Sequence, residues 1–137
     1  MPNADDNIEL APLAVELFVP DVAAAVRFYT QNLGFHLHRV DPEGSDFPEF
    51  ALASLGSAVF MFMKDTYYTG GREHLAAGRG EGVDIRIVVD DVDAFYTRTR
   101  EAGMQLLHRI GDRDYGLRDF IVRDPFGFRL RFASPLR

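Results

Sequence analysis

The chain has no cysteine among its 137 residues. Disulfides, a thiolate nucleophile and cysteine-ligated zinc are therefore excluded outright. Long apolar runs are missing as well. The opening MPNADDNIELAP is acidic, so residues 1–12 read as a flexible tail and not as a secretory signal. No stretch approaches the length of a membrane span, and the expected location is the cytoplasm. Positive charge is scarce: 15 Lys and Arg stand against 21 Asp and Glu, a net charge of −6. That balance argues against non-specific binding to nucleic acid or to an anionic membrane. The serines sit in no nucleophile elbow. The glycines at 78, 80 and 82 lack the Lys-Ser/Thr ending of a phosphate loop. The neighbouring carboxylates Asp5 and Asp6 fall in the tail.

What the chain does have is apolar residues, 47% of the total and twelve of them Phe, enough to fill a packed interior. Val15, Leu17 and Val19 alternate with Ala14, Glu16 and Phe18, which predicts a strand over 13–20. Asp21 offers a helix N-cap, and Val22, Ala25, Val26, Tyr29 and Leu33 recur at helical spacing. Gly34 stands where a left-handed residue ends a helix. Strands are predicted over 35–40, 50–55 and 58–63.

The same plan then returns. Ile85, Ile87 and Val89 mark a strand over 84–89, and Asp91 caps a helix carrying Val92, Phe95, Tyr96 and Thr99 that ends at Gly103. Strands follow near 106–110, 117–123 and 128–133. The cap aspartates lie about half the chain apart, which points to internal duplication. Each half reads as strand, helix, then three strands: a first module over 13–63 and a second over 83–137. Residues 64–82, rich in glycine and charge, read as a linker or a cover. Asp124-Pro125-Phe126-Gly127 predicts a tight turn between the last two strands, because Pro presets φ and Gly supplies a positive one.

The segments PDVAAAVRFYTQNLGF, DDVDAFYTRTREAG and RDPFGFRLRF together resemble the vicinal oxygen chelate superfamily, which includes glyoxalase I, extradiol dioxygenases, fosfomycin-resistance enzymes and bleomycin-resistance binding proteins. The resemblance runs from Leu13 onward. It implies an α+β fold in which paired βαβββ modules form an open cup of mixed sheet with helices on the outer face, and in many members a homodimer. It also implies four metal-ligand positions, which here hold Ala14, Met61, Asp84 and Arg131. One possible ligand of four remains. The expectation is no metal and no cofactor, since a divalent ion needs several N or O donors in one shell. His36, His38, His74 and His108 lie elsewhere, and only His36 and His38 are closely spaced.

Strand alternation indicates what would face the cup. If Val15, Leu17, Ile85, Ile87, Leu130 and Phe132 pack under the helices, then Ala14, Glu16, Phe18, Asp84, Arg86, Val88, Arg129 and Arg131 face the other way, joined by Met61 and Met63. The candidate ligand-binding set is Glu16, Phe18, Met61, Met63, Asp84, Arg86, Tyr115 and Arg131. Asp84 and Arg131 are expected to lie close in space. They form either an ion pair that replaces the metal or a contact for a charged ligand. Glu16 and Arg86 are a second pair with the same two readings. Tyr67, Tyr68 and Tyr115 can stack on planar ligands or simply be surface tyrosines.

The functional expectation is a metal-independent binder of an antibiotic-like small organic molecule, acting by sequestration in a dimer cleft. The alternative is a lyase, isomerase or dioxygenase of the same superfamily. It would be metal-dependent through Glu16, His36 or His38, or metal-free with Asp84 or Glu16 as base. A regulatory or scaffolding domain is the third possibility.

Overall fold

Two aspartates set the frame of the molecule. In the computed structural model, which describes residues 8, 10–66 and 78–137, Asp21 and Asp91 each accept a backbone N–H three residues on, from Ala24 at 3.1 Å and from Ala94 at 3.0 Å. Each carboxylate thus satisfies one of the orphan donors of a helix start. The chain divides into two compact units, Met1–Leu75 and Ala76–Arg137.

In the first unit β1 (Val15–Val19) leads through Asp21 into α1 (Val22–Arg27), followed by β2 (His36–Asp41), β3 (Phe50–Leu55) and β4 (Ala58–Lys64). The strands form a sheet of order β1-β4-β3-β2, with β1 parallel to β4 and the other pairs antiparallel. The second unit repeats this with β5 (Asp84–Val88), α2 (Val92–Glu101), β6 (Gln105–Asp112), β7 (Leu117–Arg123) and β8 (Arg129–Pro135) in the order β5-β8-β7-β6. Here too the first strand pairs in parallel with the last. The architecture is α+β, two four-stranded mixed sheets of one topology, as the duplicated sequence pattern predicts.

The expected single helix over 22–33 is interrupted. After Arg27 the turn widens into a π-helical segment, Phe28–Asn32, and Thr30 donates its hydroxyl to the Val26 carbonyl at 2.7 Å. A side-chain donor competing for a helix carbonyl is a recognised cause of local distortion. Tyr29, on the widened turn, is fully buried, with ring centroids 4.8 Å from Phe62 and 5.1 Å from Phe35. Gly34 then turns the chain at φ 76°, a conformation that costs a residue with a Cβ.

Each helix covers one face of its own sheet. Leu17, Val19, Phe60 and Phe62 lie buried on the helix side of the first, and Ile87, Leu130, Phe132, Phe120 and Val122 on that of the second. Phe95 of α2 stacks on Phe132 at 5.0 Å. Ser134 fastens the start of α2 to β8 by accepting from the Val92 amide and donating to the Val89 carbonyl. At the β7–β8 hairpin the buried Asp124 accepts from the amides of Phe126 and Phe128, and Gly127 takes φ 108°. Tyr67, Tyr68, His74, Asp5 and Asp6 lie outside the described residues, as does most of the glycine-rich stretch.

Candidate functional site

The parallel register of β5 and β8 puts Asp84 opposite Arg129 and Arg86 opposite Arg131. The antiparallel register of β7 and β8 puts Ile121 opposite Arg131 and Asp119 opposite Ala133. Since paired residues share a face, Asp84, Arg86, Val88, Arg129, Arg131, Asp119 and Ile121 all lie on the side of the second sheet away from α2.

Arg131 is the centre of this face. Its NH2 donates to Asp84 Oδ2 at 3.1 Å, and its NH1 donates to Asp119 Oδ2 at 3.0 Å and to the Tyr115 hydroxyl at 3.0 Å. One guanidinium on the middle strand therefore ties β5 to β7. Arg129 donates its Nε to Asp84 Oδ1. Asp119 is fully buried and also receives Arg113 Nε at 2.8 Å and the Tyr115 hydroxyl. Charge-assisted bonds of this kind are roughly twice as strong as neutral ones.

The electrostatics follow from these contacts. The Arg129 bond, helped by Arg131 and opposed by partial desolvation, holds the Asp84 carboxyl below the usual range. Burial alone would raise Asp119, but bonds from Tyr115, Arg113 and Arg131 together outweigh it and hold that carboxyl down as well. The bond to Asp119 pushes the Tyr115 phenol up. A carboxylate with a depressed folded-state pKa gives stability that is present above its unfolded pKa and lost as pH falls through the folded value. Denaturation midpoints are therefore expected to stay level from neutrality down to about pH 5 and to fall below it. The fall should be shallower in Asp119→Asn, and equal acid profiles for the two proteins would remove Asp119 as a source.

The first sheet presents a softer surface. Glu16 pairs with Met61 and Phe18 with Met63 on the face away from α1; Glu16 is exposed and the other three are half-buried. Glu16 and Arg86 belong to different units. His36 and His38 do come together, rings edge-on at 4.6 Å, with His38 Nε2 and Ser54 Oγ 2.7 Å apart. Among the described residues, no group of three His, Asp or Glu forms a metal-holding cluster.

Asp119 and Arg113 were absent from the sequence-derived set. An aspartate inside a strand, directly before the apolar run Phe120-Ile121-Val122, is itself a signal. Its partners only emerge once Ala133, two residues from Arg131, is known to sit opposite it.

A model of the Glyoxalase/Bleomycin resistance protein/Dioxygenase superfamily matches residues 11–132. The chain belongs to that superfamily. An uncharacterized protein of Mycobacterium tuberculosis (strain ATCC 25618 / H37Rv) is 31% identical over 133 residues, which is 96% of this chain and 78% of the relative. Among solved structures, TioX from Micromonospora sp. ML1 superposes with a TM-score of 0.71 at 24% identity, covering 91% of this chain and 96% of its own. Lactoylglutathione lyase from Agrobacterium tumefaciens gives 0.67 at 20% identity, over 90% of this chain and 92% of its own. At such identities the structures share the fold.

Taken one by one, the side chains that the sequence resemblance sets at metal-ligand positions are poor donors for a divalent ion. Ala14 has no donor, Met61 offers a thioether, and Arg131 brings a cation. Asp84 is the single carboxylate, and each of its oxygens already accepts from an arginine. A hard or borderline cation would have to displace two guanidinia to gain one ligand.

Proposed function

We propose that this member of the superfamily is a small-molecule binding protein of the bleomycin-resistance type that sequesters an organic ligand without a catalytic metal, as a cytoplasmic homodimer. The Asp84–Arg131 contact carries the reading: a fixed positive charge stands at a position where metal-dependent members place a ligand. The arrangement offers an oriented charged surface beside apolar side chains, the mixture that ligand sites use.

The same contact disfavours general-base catalysis by Asp84. A base works best with a pKa near the working pH, and both arginines hold this carboxyl in the opposite direction.

A thermal-shift screen tests the proposal, using bleomycin-type glycopeptides, aromatic antibiotics and small carboxylates, each with and without divalent metal. A ligand that binds only the folded state at a hundred times its Kd stabilises it by about 2.7 kcal/mol. The expected outcome is a rise in Tm with at least one compound, unchanged by metal. A rise that needs metal would overturn the proposal. Sedimentation of the same samples should show a dimer, and a monomer at micromolar concentration would contradict that part.

A further inference from the structure

We infer that the ligand of the second sheet's face away from α2 is an organic anion, its charge taken by Arg86 together with the N–H groups that Arg129 and Arg131 do not spend on Asp84, Asp119 and Tyr115, and its apolar body lying over Val88. This inference rests on the binding reading above and adds the ligand's chemical class.

Charge balance is the first ground. Arg86, Arg113, Arg123, Arg129 and Arg131 gather at this face, and the carboxylates they meet are Asp84, Asp119 and, 3.9 Å from Arg123, Glu81. Five guanidinia against three carboxylates leave an excess of two positive charges, in a chain whose net charge is −6. An excess of this sign, local and opposite to the whole molecule's, attracts anions to one place.

The second ground is the distribution of that excess. Asp84 is shared between Arg129 and Arg131, and Asp119 among Arg113, Tyr115 and Arg131. Among the described residues Arg86 has no ion pair. It is exposed and lies directly across from Arg131 in the β5–β8 register. Like charges directly opposite on neighbouring strands destabilise a sheet. A bound anion reverses the sign of that interaction, because each guanidinium presents a planar fork that matches a carboxylate or phosphate. A cationic ligand would meet Asp84, already committed to two arginines, and Glu81, which stands 3.9 Å from Arg123.

The third ground is the neighbouring residue. Val88 follows Arg86 on the same face, about 7 Å further along the strand, and is 56% exposed. A β-branched side chain left open beside an unpaired cation suits a ligand with an anionic head and a short apolar body. Arg131 is held in place by three partners, so its guanidinium charge is oriented before binding, which limits the entropic cost.

Four probes of one shape separate the possibilities: benzoate, phenyl phosphate, benzamide and benzylammonium, titrated into the full chain and followed by 1H–15N NMR. The expected result is that an anionic probe shifts the amides of β5 and β8, with benzoate and phenyl phosphate telling a carboxylate site from a phosphate site. Arg86→Gln should weaken that binding about tenfold or more, the worth of one charge-assisted pair. Arg86 is exposed, so the variant should fold, and its own spectrum verifies that. If benzamide or benzylammonium shifts the same amides as strongly, or Arg86→Gln binds the anion as well as the parent, the anion assignment is overturned while the binding reading stands. If no probe moves this face and no compound in the thermal-shift screen stabilises the protein, both fall together.

Discussion

Asp119→Ala is expected to cost on the order of 3–5 kcal/mol of folding stability, the typical penalty for removing one partner of a buried charge network. Few single substitutions on this chain should do more. The carboxylate is completely buried, and it serves Arg113, Arg131 and Tyr115 at once. Alanine would leave Arg113 without its counter-charge and Arg131 with Asp84 alone. Most of the cost thus comes from what is stranded, not from the value of the bonds themselves. A double variant separates the two. Asp119→Leu with Arg131→Met replaces charge by apolar volume, and such exchanges in buried ion pairs are often neutral. The double variant is expected to be more stable than Asp119→Ala in urea denaturation. A loss equal to the sum of the single losses would show that the two residues are not coupled.

This network also marks the limit of what the sequence reveals. Local chemistry was legible throughout. The cap aspartates at 21 and 91, the strand alternation, Gly34 and Gly103 ending the helices, and the Asp124–Gly127 turn each act within a few residues, and the duplicated order of elements followed from them. Alternation also assigned Asp84, Arg86, Arg129 and Arg131 to one face. The π-helical turn was not legible, because a threonine within a helix pattern need not spend its hydroxyl on a helix carbonyl as Thr30 does on Val26. Asp119 stayed hidden for a related reason. Whether an in-strand aspartate is a solvated edge residue or a buried hub depends on the register of β7 against β8, which spacing alone does not fix. Bulges add to this difficulty, since β2 and β6 both shift register along their length, whereas the meeting of His36 and His38, two residues apart on one strand, follows from alternation.

Arg131→Glu is the substitution with the sharpest expected contrast. It places a carboxylate between Asp84 and Asp119, which now share one guanidinium. Without added cation the variant should lose stability of the order seen for a broken buried pair, about 3–5 kcal/mol, since three carboxylates would then repel one another. In the parent a divalent ion has little to gain, because the guanidinium already fills the electrostatic role and Asp84 is occupied on both oxygens. In the variant the ion would find three carboxylates from which the Arg131 charge has gone, competing only with Arg129 at Asp84 and Arg113 at Asp119, and oxygen donors are what hard divalent ions require. Thermal unfolding with and without millimolar Mn2+ or Mg2+ should therefore show a rise in Tm for Arg131→Glu and none for the parent. An equal response from both proteins would mean that Arg131 does not stand in for a metal charge, and the argument from Asp84 and Arg131 to a metal-independent binder would lose its footing. A response from the variant alone would show that one side chain decides whether this sheet face accepts a divalent cation.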